Sequence, residues 1–67
     1  MAITLKAARV NAGYDQKTAA KRLGVSSATL RSWENGITFP DVPQITKIEE
    51  AYSISYADIK FTPKSSV

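Results

Sequence analysis

Every glycine of this chain stands at the end of a short run whose apolar residues recur at helical spacing: Gly13, Gly24 and Gly36. Glycine adopts the left-handed backbone that stops a helix without steric cost, so the three positions cut the first half of the chain into three helices. Thr4 is placed to cap the first, which carries Leu5, Ala8, Arg9 and Ala12 on one face. Asp15 caps the second, about residues 16–23, with Ala19, Ala20 and Leu23 inward. Val25 leads into Ser26, a good cap for a third helix over about residues 27–35, with Leu30 and Trp33 inward. After the linker "ITFPDVP", Asp41 and Gln44 have capping-box spacing and Pro43 suits a first helical turn. Ile45, Ile48, Ala51 and Tyr52 form the apolar stripe of the fourth helix. Ser55 and Asp58 repeat the capping spacing before a fifth helix of one to two turns, with Ile59 and Phe61 inward. No segment alternates with strand periodicity. The expected architecture is all-α: one domain over residues 1–61, five short helices around one core, and a flexible tail over 62–67. Leu5, Leu23, Leu30, Ile45, Ile48 and Ile59 are the expected core, with Trp33 as an anchor.

Composition narrows the chemistry. At 67 residues a chain buries too little surface to enclose a large active site. Without cysteine there is no disulfide, thiolate metal site or thiol nucleophile, and without histidine no ordinary neutral-pH base. The serines have nothing to activate them, and the adjacent Glu49 and Glu50 point in different directions on a helix, as a solvated acidic edge. No enzyme, metal site, cofactor or small-molecule substrate is expected. No apolar run approaches the roughly 20 residues that span a bilayer, and the N-terminus lacks a signal peptide's apolar core, so a cytoplasmic protein with no membrane partner is expected.

The net charge of +3 conceals a division. Residues 1–33 carry Lys6, Arg9, Lys17, Lys21, Arg22 and Arg31 against Asp15, a balance of +5, whereas residues 34–67 balance at −2. Such a field favours docking the N-terminal half on a polyanion, although lysines on solvated helix faces would give the same count. The tight connection through Gly24 and Val25 either joins two core helices or sets the third across the second, as a helix-turn-helix does to place a helix in a DNA groove.

The wider pattern favours the second. "DQKTAAKRLGVSSATLRSWENG", then Pro40, then "ITKIEEAYSISYADI" resembles the lambda-repressor-like, Cro/C1-type helix-turn-helix family over about residues 3–61. The matching features are Gln16, Ala20, Leu23-Gly24-Val25-Ser26, Trp33-Glu34-Asn35-Gly36, Pro40 and Ile54-Ser55. The resemblance implies that Gln16 and Asn35 bind backbone phosphates of double-stranded operator DNA, with Lys17, Lys21 and Arg9 adding charge nearby. It implies that the third helix is the recognition helix, presenting Ser27, Ala28, Thr29, Arg31 and Ser32 to base edges. It also implies a partly buried salt bridge from Arg9 to Glu34.

Two departures matter. Relatives often carry glutamines where this chain has Ser27 and Ala28, which thins direct base readout. Relatives often place basic residues after Gly36, where this chain has Ile37, Thr38, Phe39 and Val42. Those side chains either fold back over the core or form a protein-binding surface. Two functions follow from the resemblance. One is a phage- or prophage-type repressor or Cro-like regulator, acting as a weak homodimer through the segment around Tyr52, Tyr56, Ile59 and Phe61. The other is an antirepressor, akin to modulators of repression, that binds a cognate repressor protein through surfaces including Phe39 and Val42. An antitoxin is a third use of the family.

Overall fold

A computed structural model describes residues 2–61; the tail expected over 62–67 lies outside the described residues. The order is β1 (Ile3–Thr4), α1 (Leu5–Asn11), α2 (Gln16–Leu23), α3 (Ser27–Glu34), α4 (Val42–Tyr52), a 3-10 turn (Tyr56–Asp58) and β2 (Ile59–Lys60).

Local chemistry sets the helix ends. Each α-helix starts where an Asp, Ser or Thr oxygen accepts an otherwise orphaned backbone N–H. Ala7 N donates to Thr4 Oγ1 at 3.0 Å, Thr18 N to Asp15 Oδ1 at 2.7 Å and Thr29 N to Ser26 Oγ at 3.1 Å. Asp41 and Gln44 form a full capping box: Gln44 N donates to Asp41 Oδ1 at 3.0 Å and Asp41 N to Gln44 Oε1 at 2.9 Å. The bonds that Thr18 donates hold the Asp15 carboxyl below its ordinary value.

Gly24 closes α2 at φ +74°. A methyl there would lie 3.6 Å from Lys47 Nζ, an ordinary contact. Gly24→Ala therefore carries only the left-handed backbone penalty, and a urea melt should show a loss of about 1–2 kcal/mol. Lys47 also sets its ammonium near the carbonyl end of α2, a favourable place for a cation.

The buried core draws on every helix: Leu5, Ala8, Ala19, Ala20, Leu23, Leu30, Trp33, Ile48, Tyr52 and Ile59. α2 packs on both α3 and α4, which makes it the central element. The expected core differs at one position, since Ile45 is only half-buried and lines a surface cleft.

The C-terminal part corrects the expectation of five helices. The fifth is a single 3-10 turn; Asp58 N donates to Ser55 O at 2.9 Å, and Ser55 makes no side-chain cap. The chain leaves α4 through Ser53 in the left-handed region at φ 52°, and Tyr56 N donates to Glu49 Oε2 at 2.7 Å. Glu49 is thus a tether for the turn, where the sequence suggested a solvated edge. Beyond it β2 pairs in parallel with β1, Ile3 opposite Ile59 and Thr4 opposite Lys60. Two residues per strand are too few for alternation to show, and their pairing joins the two ends of the domain.

Tyr52 was expected both in the α4 stripe and at an interface; it is core, 6 % exposed, and Ile59 is 7 % exposed. Neither belongs to a docking surface. The Tyr52 hydroxyl is buried without a hydrogen-bond partner among the described residues. Burial, with the Glu34 charge adding to it, raises its pKa from 10.0 to about 12. The unfolded chain ionises first, so the phenol's contribution is whole below pH 10 and declines as pH rises towards 12. Tyr52→Phe should leave stability at pH 7 unchanged or raise it by up to about 1 kcal/mol, because it removes an unsatisfied group. Thermal melts from pH 7 to 11 should also show a shallower alkaline decline than wild type.

Candidate nucleic-acid interface

The turn between α2 and α3 is three residues long, Gly24, Val25 and Ser26, and Val25 N donates back to Ala20 O at 2.9 Å. α3 therefore leaves α2 with its start fixed. Along α3 the inner side is held by buried Leu30 and Trp33, while Ala28 and Arg31 are exposed and Ser27, Thr29 and Ser32 half-buried. The five residues expected to read bases thus lie off the buried face. Thr29 Oγ1 accepts from Ser26 Oγ at 3.0 Å, which ties part of its hydroxyl to the cap. Ser27, Ala28, Thr29 and Ser32 offer small groups, and Arg31 the one long donor on this face.

The C-terminus of α3 closes tightly. Asn35 N donates to Arg31 O at 2.9 Å, Gly36 N to Trp33 O at 3.2 Å and Ile37 N to Ser32 O at 2.9 Å. Asn35 itself is exposed, with its side chain unpaired among the described residues.

Below this end lies a buried polar network. Arg9 Nε donates to Glu34 Oε2 at 2.7 Å and its NH2 group lies 3.4 Å from Glu34 Oε1; the two side chains are 9 % and 3 % exposed. Arg9 NH1 donates to Tyr14 O at 2.9 Å, so all three guanidinium nitrogens are engaged inside the protein. Arg9 is thereby removed from the set of phosphate contacts: it is 7 % exposed and structural. Gln16 Nε2 joins the network, donating to Glu34 Oε1 at 3.1 Å. Because Glu34 directly precedes Asn35, this bond draws the start of α2 to the end of α3. Gln16 therefore lies against the residue that precedes Asn35, eighteen positions along the chain from it. The Gln16–Glu34 bond was missed in the sequence, where only the Arg9–Glu34 pair was expected.

The remaining cations divide. Lys17 and Lys21 are exposed, four residues apart on α2 and so on one side of it. Lys21 also borders an open cleft of about 350 Å³ with Arg22, Gly24, Lys47, Glu50 and Ala51. It thus sits with a further cation from α4 as well as near Lys17.

Of the linker, Pro40 is buried, but Ile37, Phe39 and Val42 do not fold back over the core. Val42 is 76 %, Ile37 56 % and Phe39 48 % exposed. Phe39, Pro40, Ile45, Tyr56 and Phe61 line a shallow apolar cleft of about 210 Å³, in which the Tyr56 and Phe61 rings lie 5.7 Å apart. Of the residues expected at a protein interface, Phe39, Val42, Tyr56 and Phe61 are therefore at the surface. Among the described residues no group of His, Cys, Asp and Glu could hold a metal ion, and no helix is long and apolar enough to cross a membrane.

Comparison with known proteins accords with this geometry. A helix-turn-helix family model matches residues 5–59. The HTH-type transcriptional regulator ImmR of Bacillus subtilis (strain 168) is 37 % identical over 51 residues, which cover 76 % of this chain and 40 % of that protein. This chain thus corresponds to less than half the length of that relative. No solved structure gives a significant match. With α2, the Gly24 turn and α3 inside the matched region, the chain belongs to the Cro/C1-type helix-turn-helix family of transcriptional regulators.

Proposed function

We propose that this protein is a sequence-specific DNA-binding regulator that inserts α3 into the major groove of an operator. The observation that carries the reading is the division of α3 into two faces: Leu30 and Trp33 buried, and Ser27, Ala28, Thr29, Arg31 and Ser32 off the core beside an unpaired Asn35. Gln16 and Asn35 bind phosphates where the start of α2 meets the end of α3, and Lys17 and Lys21 add charge, so affinity comes mainly from the backbone. Arg31 is the principal base reader, best suited to guanine. With small side chains elsewhere on α3, the shape of the groove supplies much of the remaining selectivity. One such module spans few base pairs, so the protein acts as a weak homodimer on paired half-sites, using the exposed Tyr56 and the partly buried Phe61 beside it. Its setting is that of a phage- or prophage-type repressor or Cro-like protein in the cytoplasm.

A second reading is favoured by one specific observation, the exposed Ile37, Phe39 and Val42 beside an apolar cleft. An antirepressor would dock a cognate repressor there and block its DNA binding.

Fluorescence anisotropy on the protein's own promoter DNA and on a scrambled duplex, over a salt series, separates the two. Operator recognition requires tight binding to the promoter alone, with an affinity that falls with salt. Equal, feeble binding to both duplexes, together with a stoichiometric complex with the repressor that is lost in Phe39→Asp, would establish the antirepressor instead.

A further inference from the structure

Gln16 can bind a phosphate with only one end of its carboxamide. A phosphate diester accepts hydrogen bonds and donates none, so the amino group must face it. In a free glutamine the two ends exchange by rotation of the amide. Here Glu34 Oε1 lies 3.1 Å from Gln16 Nε2. A carboxylate accepts only, and the opposite rotamer would set the amide oxygen against it. The amino group has two hydrogens; one is used by Glu34, and the second remains on the same nitrogen.

Glu34 is itself fixed. Arg9 holds it at 2.7 Å and is held in turn by the Tyr14 carbonyl at 2.9 Å. An unpaired carboxylate this close would repel a phosphate, and Arg9 cancels that charge. We propose that Glu34 is a positioning residue for phosphate binding: it holds the Gln16 carboxamide with its amino group turned to the DNA, while the buried Arg9 makes the supporting group neutral. The proposal rests on the DNA-binding reading above.

The test uses a duplex selected by the wild-type protein from a random library, with each phosphate replaced in turn by a neutral methylphosphonate. Gln16→Ala identifies the phosphate that Gln16 touches, as the position whose replacement no longer matters. Glu34→Gln can present either end of its own amide to Gln16, so it should lose about tenfold in affinity and lose sensitivity at that same phosphate only. In a Gln16→Lys background the ammonium donates whatever its rotation, and Glu34→Gln should then have little effect. An equal loss in both backgrounds, or unchanged methylphosphonate sensitivity in Glu34→Gln, would overturn the positioning role while leaving the DNA-binding reading intact. Failure of the wild type to select any duplex would overturn both. If Glu34→Gln is unfolded at the assay temperature, the wild-type side-chain amide spectrum decides: one Gln16 amide proton must exchange more slowly than the other. Equal, rapid exchange of the two overturns the proposal.

Discussion

Glu34→Ala should cost about 3–5 kcal/mol, the penalty typical of stranding one partner of a buried ion pair. For a domain of this size, total stability at roughly 0.05–0.15 kcal/mol per residue is only some 3–10 kcal/mol, so the variant should be largely unfolded in moderate urea. The size follows from what Arg9 would lose. Among the described residues its Nε and NH2 groups have no acceptor other than Glu34, and the residue is 7 % exposed, so water reaches it poorly. Gln16 would lose its acceptor as well. Arg9→Ala leaves the complementary orphan, a carboxylate 3 % exposed, and should cost as much. The double variant Arg9→Met with Glu34→Leu should recover most of the loss, since no unpaired charge remains and apolar volume replaces it. Urea midpoints of the wild type, both single variants and the double variant provide the check. Single losses below about 1 kcal/mol would mean that the pair behaves as an exposed one and does not fix α3 against α1.

How much of this was legible depends on how local each feature is. The caps at Thr4, Asp15, Ser26 and Asp41 could be read because a cap is a bond between residues three apart. The Gly24 turn could be read for the same reason. Among features made by distant residues, only the Arg9–Glu34 pair was legible, and that through the family resemblance. The β1–β2 pairing joins residues 3–4 to 59–60 with two residues each, too short for any periodic signal. Ser53 takes a left-handed backbone that glycine would have announced, and Glu49 bonds the Tyr56 amide across seven residues. Tyr52 shows the limit in another form. Its spacing marked it as core and its ring as an interface residue, and only packing against Tyr14, at 6.0 Å between ring centres, decides for the core.

At the candidate interface the helices were legible and the state of each side chain was not. Gln16 opens α2, Asn35 follows α3, and Ser27, Ala28, Thr29, Arg31 and Ser32 lie off the buried face of α3. Arg9 and Gln16 were both expected to donate to phosphates, yet the fold consumes every nitrogen of Arg9 and only one bond of Gln16. Charge counts from sequence cannot separate a guanidinium buried in a network from one that meets solvent. The basic balance available to a polyanion is correspondingly smaller than the sequence suggests, because Arg9 and Glu34 neutralise each other internally.

The two faces of α3 should also separate in stability measurements. Leu30 has no exposed surface and Ala28 is exposed two residues earlier, about 200° away around the helix. Leu30→Ala should cost about 2–5 kcal/mol, from the lost transfer of its methyl groups and from a cavity that α2 and α3 cannot close without moving. Ala28→Gln adds a long polar side chain to the open face and should change stability by less than about 0.5 kcal/mol. The effects on recognition should be reversed in kind. Leu30→Ala loosens the seat of the whole helix and should weaken binding to all sequences alike, through the population that remains folded. Ala28→Gln leaves the seat intact and supplies a bidentate partner for adenine, worth about 1–3 kcal/mol of discrimination on the operator-binding reading. Urea midpoints and a base-substituted duplex series for the two variants test both halves. A large stability loss in Ala28→Gln, or a small one in Leu30→Ala, would mean that α3 presents the opposite face. A stable Ala28→Gln with no new base preference would leave the packing of α3 as described and remove that position from the reading surface.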